Sequence, residues 1–396
     1  MRYPTAQIPS AATAIDGSGT GTLDLALGEQ DSDQTHFNCE LFVNAGNGTL
    51  TAQPSLGASD NFCGNLTSAD FDGDGKIDVA SQLNSNNASS GGSGVLGIDF
   101  GTGKHAFAPT RTPYSVPFAN SELAVADLDS DGHPDLAALG YDLALSSPHE
   151  LGFPVLEPVN FTIAVLLNAG AGALAAPVLY PTSHSLSQLS VGDFDGDGRL
   201  DLVAIDNSAP SGFELYRNLG GGLLAEPRFF PAADLWSLYG LGVADFDADG
   251  KSDIASAVTL DANMPEERKV LRIFSGRSDG TLAEPVNYAI PNVPSLYRVA
   301  TGDFNGDGKP DIAMVMGNDS DDAAIDPIPI SVFLNQGDGS FAPPIDYFVG
   351  DATNSIALSL VVGEFNGDGV TDIAVTTTNS VEPSRRALNV LLSDCQ

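Results

Sequence analysis

The sequence predicts an all-β protein built from seven repeated four-stranded units, and three observations lead there. A nine-residue aspartate pattern recurs through the 396 residues. Each copy is flanked by short apolar runs of strand character. No stretch sustains helical periodicity over the roughly 10 to 12 residues that a helix requires.

The pattern is D-x-D-x-D-G-x-x-D. Four copies carry all four aspartates: Asp70, Asp72, Asp74 and Asp78; Asp127, Asp129, Asp131 and Asp135; Asp193, Asp195, Asp197 and Asp201; and Asp245, Asp247, Asp249 and Asp253. Two more read Asp303, Asn305, Asp307, Asp311 and Glu364, Asn366, Asp368, Asp372. A worn seventh copy spans 16–24, where Ser18 and Thr20 replace the two middle carboxylates. The seven copies, at 16–24, 70–78, 127–135, 193–201, 245–253, 303–311 and 364–372, open 54, 57, 66, 52, 58 and 61 residues apart.

A second element follows most copies, an apolar run ending in a glycine-rich turn, as in Leu41-Phe42-Val43-Asn44-Ala45-Gly46-Asn47-Gly48. After it comes a proline-containing run such as Ala176 to Tyr180. Each period thus reads as strand A before the aspartate loop, B after it, C before the glycine turn and D after it. Four antiparallel strands per period, repeated seven times, are the content of a seven-bladed β-propeller spanning 1–396 as one domain.

The termini support the same reading. The seventh period ends at Leu388 to Leu392 and lacks a strand D. Tyr3-Pro4-Thr5 precedes Asp16 by the interval that separates Tyr180-Pro181-Thr182 from Asp193, so residues 3–8 are expected to supply the missing strand. The ring would then close without an unpaired edge.

Composition narrows the function. With 52 acidic and 16 basic residues the formal net charge is -36, which excludes nucleic-acid phosphates and anionic membrane surfaces as partners and favours cations. The 20 phenylalanines and many Val/Ile/Leu runs separate this chain from disordered acidic sequences. Cys39, Cys63 and Cys395 form neither a disulfide framework nor a zinc pattern. A Cys39–Cys63 bridge and a pair of small buried side chains remain alternatives. No run reaches the length of a transmembrane helix, and Met1-Arg2-Tyr3-Pro4 does not begin a signal peptide, so an exported protein would have lost its signal before this sequence begins.

Carboxylates at positions 1, 3, 5 and 9 of a tight loop, with a backbone carbonyl at 7, form a set of hard oxygen donors suited to calcium. Position 7 is Lys76, His133, Arg199, Lys251, Lys309 and Val370 in the six good copies. Glycine at position 6 permits the turn. About five to six structural calcium ions are expected, and the worn first loop is a candidate for a seventh. The alternative is a set of merely acidic turns.

These residues resemble the FG-GAP repeats of integrin α-subunits and, more closely, the VCBS-type repeats of bacterial secreted proteins. The resemblance covers the full length. It implies one blade per repeat, seven blades, and a calcium ion held by each aspartate loop on one face of the disc. Ser18, Thr20 and Glu364 depart from the motif and put the first and last sites in question.

The opposite face should carry the long B-to-C segments, 81–95, 140–161, 258–269, 316–329 and 377–386, together with aromatic residues near the D-to-A connections: Tyr114, Phe118, Trp236, Tyr239 and Tyr297. Variable loops and aromatic platforms on a rigid scaffold suit a glycan or a protein ligand, with packing between blades as the alternative role for each ring. The five histidines fall in different blades or faces, and no nucleophile, phosphate-loop or zinc-protease motif occurs. The chain is therefore expected to be a monomeric, secreted or cell-surface recognition or adhesion module rather than an enzyme. A carbohydrate-active enzyme resembling propeller polysaccharide lyases, with His149 or His184 beside a tyrosine, and a structural domain of a larger adhesin are the alternatives.

Overall fold

The computed structural model describes residues 1–5, 7–17, 21–30, 37–53, 65–83, 94–108, 111–145, 156–182, 184–208, 210–231, 235–260, 269–290, 295–317, 328–349, 355–379 and 386–393. They form seven four-stranded antiparallel sheets, and the order in each is A-B-C-D. Among them no helix is long and apolar enough to cross a membrane.

Blade 1 comprises Ile8–Ile15, Asp24–Gln30, Phe37–Asn44 and Leu50–Gln53. Blade 2 comprises Leu66–Ala69, Asp78–Leu83, Gly94–Asp99 and Thr112–Val116, with an extra hairpin, Gly101–Gly103 against Ala106–Phe107, inserted between its strands C and D. Blade 3 is Ala119–Ala126, Asp135–Leu145, Leu156–Leu166 and Val178–Pro181, and blade 4 is Leu186–Gly192, Asp201–Asp206, Gly212–Tyr216 and Arg228–Pro231. Blade 5 is Leu235–Ala244, Asp253–Leu260, Lys269–Phe274 and Val286–Ala289; blade 6 is Ser295–Gly302, Asp311–Gly317, Ile328–Phe333 and Ile345–Val349. Blade 7 takes Ser355–Gly363, Asp372–Asn379 and Ala387–Leu391 from the end of the chain and Arg2–Pro4 from its beginning.

The closing strand pairs Arg2 with Asn389, Tyr3 with Leu388 and Pro4 with Ala387, and the Met1 amino group donates to the Val390 carbonyl at 2.6 Å. It covers residues 2–4 rather than 3–8, because Ile8 already begins strand A of blade 1. Strands A of successive blades touch one another around the ring and back to the first.

The apolar core is a ring of inter-blade layers. In one, Leu139, Ile163 and Val165 of blade 3 pack on Leu186, Leu202 and Tyr216 of blade 4; others join blades 2 and 3, 4 and 5, 5 and 6, 6 and 7, 7 and 1, and 1 and 2. Strand B is sandwiched on both faces, so Asp201–Asp206 and Asp253–Thr259 are buried at every position rather than at alternate ones. Strand D, at the rim, exposes most of its residues, as in Val178–Pro181.

Of the variable B-to-C segments, the stretches 84–93, 146–155, 261–268, 318–327 and 380–385 lie outside the described residues, although in blade 3 strands B and C extend the pairing as far as Leu145 with Leu156. Cys39 is buried and disulfide-bonded, while Cys63 and Cys395 both lie outside the described residues.

Candidate metal centres in the aspartate loops

Every aspartate loop joins strand A to strand B, so all lie on one face of the disc. Their shape comes from side chains accepting the loop's own amides. In the second loop Asp70 Oδ1 accepts N–H groups from Gly73 at 2.8 Å and Asp74 at 3.1 Å, and Asp70 Oδ2 accepts that of Gly75 at 2.8 Å. Asp72 Oδ1 accepts from Asp74, and Asp74 Oδ1 from Lys76. Asp127, Asp193, Asp245 and Asp303 take the position-1 role in their loops in the same way.

The two atypical loops keep part of this geometry. Glu364 Oε1 accepts amides from Asn366 at 2.9 Å and Gly367 at 2.6 Å, so the longer carboxylate still serves position 1. In the first loop Asp16 Oδ2 accepts the Gly21 amide at 2.7 Å, while residues 18–20 lie outside the described residues.

Two positions in each of the six good loops need a left-handed backbone. Position 6 is glycine in all six good copies, with φ of 82° at Gly75 and 84° at Gly198. Position 4 is also left-handed, and it is not always glycine: Gly73 and Gly196 adopt 73° and 75°, but Ser130 and Ala248 are held at 64° and 58°.

Position 9 has a role beyond that of an expected ligand. Asp201 is fully buried; its Oδ2 accepts the Phe194 amide at 3.3 Å, inside the loop, and its Oδ1 accepts the Asn218 amide at 2.7 Å, at the end of strand C. Asp78, Asp135, Asp253, Asp311 and Asp372 make the same two links. Burial pushes Asp78, Asp201, Asp253 and Asp311 up to about 6 against the opposing pull of these amides, and raises Asp135 and Asp372 in the same direction. In blade 1, position 2 is Gly17, and Asp24 Oδ2 instead meets His105 Nδ1 at 2.6 Å, from the extra hairpin of blade 2.

Carboxylate oxygens of Asp70, Asp72 and Asp78, of Asp127, Asp129 and Asp135, of Asp193, Asp195 and Asp197, and of Asp245, Asp247 and Asp249 lie within 4.8 Å of one another in each set. Clusters of this kind, exposed on one side and made only of hard oxygen donors, fit a calcium ion. The position-7 side chains fold back toward position 5: Lys76 pairs with Asp74, Arg199 with Asp197, Lys251 with Asp249 at 2.5 Å and Lys309 with Asp307 at 2.9 Å. Arg217, from the end of strand C, adds a 2.5 Å contact to Asp195.

Two inter-blade contacts were not anticipated from the sequence. Asn168 sends its amide to the carbonyl of Phe71 in the preceding blade's loop at 2.8 Å; Asn44 reaches Phe365, Asn218 reaches Leu128, and Asn335 reaches Phe246. The signal was the asparagine that opens the glycine turn in LFVN, VLLN, LYRN and VFLN. In blade 5 this position is Gly276, where a Cβ would lie 2.4 Å from the Ser252 carbonyl oxygen. The second contact runs along the rim. Tyr3 donates to the Gly48 carbonyl at 3.1 Å, Tyr114 to Gly172 at 2.6 Å and Tyr288 to Gly339 at 3.4 Å, and Tyr180 accepts from Leu224 at 3.0 Å.

The aromatic residues expected on the opposite face therefore divide. Tyr114 sits in strand D, with its hydroxyl committed to the C-to-D turn of blade 3 on the aspartate-loop side, so it is a clasp and not a platform. Phe118 is buried, and Tyr239 lies in strand A of blade 5, half-buried against the layer that contains Phe246. Trp236 and Tyr297 lie near the starts of strands A in blades 5 and 6; their side chains lie outside the described residues. Of the histidines, His36 and His149 lie outside them as well. His133 stands against Gly170 of its own blade, and His184 meets Asp206 and Glu214, a partnership that the sequence did not disclose.

Fold and loops together define a β-propeller whose blades each present an acidic A-to-B loop on one face. FG-GAP-like repeats occur in the chain: that family matches residues 16–81, 193–256 and 245–314. Each match runs from one aspartate loop into strand B of the next blade, so the sequence repeat is out of phase with the blade. Among solved structures, the lectin BP39L from Burkholderia pseudomallei is similar at 12% identity over 100% of this chain and 98% of that one, with a TM-score of 0.64. Sqt1 of Saccharomyces cerevisiae is similar at 10% identity over 98% and 97%, TM-score 0.52, and the Dos1 propeller at 10% over 99% and 94%, TM-score 0.51. At such identities the likeness is one of fold alone. Comparison with curated proteins gives no match.

Proposed function

We propose that this protein is a calcium-stiffened recognition propeller, exported to the cell surface or beyond, whose face opposite the aspartate loops engages a glycan or a protein ligand. The observation that carries the reading is the convergence of three carboxylates within 4.8 Å in each of four loops on one face. Repeated at blade spacing, such clusters repel themselves without a cation and stiffen each loop with one. Millimolar external calcium suits loops of this kind. That leaves the other face, with its long B-to-C segments, free for recognition, as loops on a rigid scaffold usually are. A lectin with the same fold accords with a glycan ligand, and integrin-like adhesion with a protein one.

Binding of the labelled protein to an array of glycans and matrix proteins, in calcium and with a chelator, tests the proposal. A calcium-dependent signal that Trp236→Ala weakens without unfolding the protein is the expected result. Product release from a polysaccharide would replace the proposal with an enzymatic one.

A further inference from the structure

On the face away from the aspartate loops, between blades 3 and 4, a second kind of donor set converges. His184 lies in the connection from strand D of blade 3 to strand A of blade 4, Asp206 ends strand B of blade 4, and Glu214 lies on its strand C. The His184 Nδ1 atom stands 2.6 Å from Asp206 Oδ2 and 2.7 Å from Glu214 Oε1. All three donor atoms lie within 4.8 Å of one another.

Both contacts are at ion-pair distance, but neither has hydrogen-bond geometry. Asp206 is fully buried and its Oδ1 accepts the Ser208 amide at 2.8 Å, but its Oδ2, aimed at the cluster, has no hydrogen-bond partner, and neither has His184 Nδ1. A buried carboxylate oxygen left without a donor is costly, and such a group calls for an explanation. Glu214, 3% exposed, is held from behind: Tyr216 donates to its Oε2 at 2.5 Å, and Thr182 Oγ1 lies 3.3–3.4 Å from both oxygens.

Blade 1 supplies an internal comparison. Gln7, Glu29 and Glu40 occupy the places of His184, Asp206 and Glu214: Gln7 and His184 each precede position 1 of their loop by nine residues, and Glu40 pairs with Leu27 as Glu214 pairs with Ala204. There the two acids are accommodated differently. Burial, then the Glu40 charge, pushes Glu29 up to about 8, and Arg386 acts in the opposite direction. Among the described residues no lysine or arginine pairs with Asp206 or Glu214. Blade 4 places an imidazole nitrogen where blade 1 has an amide.

We propose that His184, Asp206 and Glu214 bind a divalent transition-metal ion, with zinc preferred. One imidazole and two carboxylates match zinc's ligand chemistry, whereas calcium takes six or more oxygens. Tetrahedral ligands about 2.0–2.1 Å from zinc stand roughly 3.3 Å apart, so metal entry must open the two histidine contacts by about 0.6–0.7 Å. His184 can make that shift, because its side chain is 37% exposed on a connection, while Asp206 and Glu214 are fixed by Ser208 and Tyr216. Hydrogen bonds to the far oxygens of both carboxylates are the outer support that metal ligands ordinarily have. Three protein donors leave zinc a fourth coordination position, for water or a donor atom of an incoming ligand.

The test uses the full chain, stripped of metal and returned to millimolar calcium so that the aspartate loops are occupied, then titrated with zinc by calorimetry and, separately, with cobalt followed by visible absorption. One zinc per chain is expected, with cobalt d–d bands of a low-coordinate nitrogen–oxygen site. His184→Gln should weaken zinc by ~100-fold or more and abolish those bands, with calcium stoichiometry unchanged. Asp206→Asn should do the same; if that buried variant fails to fold, the exposed His184→Gln still decides. No zinc uptake by the wild-type protein in calcium, or equal uptake by His184→Gln, overturns the proposal. So does a wild-type melting temperature that zinc leaves unmoved while His184→Gln lowers it, since the cluster would then be an imidazolium held between two carboxylates.

Discussion

The side-chain amide of Asn218, in blade 4, donates to the carbonyl of Leu128, inside the aspartate loop of blade 3, at 2.7 Å. The same nitrogen also reaches Leu200 in its own blade at 2.9 Å, and its Oδ1 accepts the Gly220 amide at 2.9 Å. One fully buried residue therefore joins the loops of two blades to the turn that follows strand C. Asn218→Ala would leave the Leu200 carbonyl and the Gly220 amide without partners and the Leu128 carbonyl with only the 3.2 Å bond from the Gly222 amide, at a cost of roughly 1–3 kcal/mol. Urea unfolding in saturating calcium checks this, and a loss below about 1 kcal/mol would mean that water replaces the amide.

Position 9 and position 5 of one loop should behave differently when calcium is withdrawn. Asp197→Ala removes an outward carboxylate and should lower calcium stoichiometry by one and reduce stability in calcium; in chelator it should be nearly neutral, since the losses are repulsion, exposed pairs with Arg199 and Arg217, and a bond from the exposed Arg199 amide that water replaces. Asp201→Ala orphans the Phe194 and Asn218 amides in both conditions and should cost about 2–5 kcal/mol in each. Equal losses in chelator would deny position 9 its strand-pinning role.

The difference between those two positions marks where sequence reading stopped. Blade number, strand order and ring closure were legible because each blade carries one aspartate loop at a steady interval, so counting loops counts blades. Contacts between blades were not, because Asn218 and Leu128 stand 90 residues apart and nothing local to either names the other. The asparagine before each glycine turn was legible only as the end of an apolar run, and Tyr114 was read as a ring near a D-to-A connection, whereas it lies within strand D. His184, Asp206 and Glu214 were each visible, but only the pairing of strands B and C brings the two acids side by side.

Backbone strain in the loops yields a stabilising change. Ala248 holds φ at 58° where Gly73, Gly196, Gly306 and Gly367 fill the same position. A left-handed alanine costs about 1–2 kcal/mol, and a glycine returns part of that through its greater freedom in the unfolded chain. Ala248→Gly should stabilise the protein by roughly 0.5–1 kcal/mol in calcium denaturation series, while Gly196→Ala should destabilise it. No gain from Ala248→Gly would show that the exposed loop relaxes around alanine without cost.

The tyrosine at the rim offers a separation of structure from recognition. Tyr114→Phe removes one donor to the Gly172 carbonyl and keeps the ring in its layer beside Leu96 and Phe118. A loss of about 1 kcal/mol is expected, with binding to any ligand found on the array unchanged. Weakened binding at full stability would instead place the recognition site on the aspartate-loop face.

Glu29 gives the protein a pH dependence of predictable sign. Its carboxyl is buried beside Glu40, and its folded pKa is raised from 4.5 to about 8, by burial first and by the Glu40 charge second. A raised acid pKa means that the folded state holds the proton more tightly than the unfolded chain, so the associated stability is fully present below about 4.5 and declines as pH rises toward 8. Glu29→Gln mimics the protonated form at every pH. Unfolding free energies measured in calcium from acidic to mildly alkaline buffer should therefore fall more steeply for the wild type than for Glu29→Gln, with the two profiles meeting at the acid end. Parallel profiles would mean that Arg386 neutralises the ionised pair and that blade 1 stores no proton.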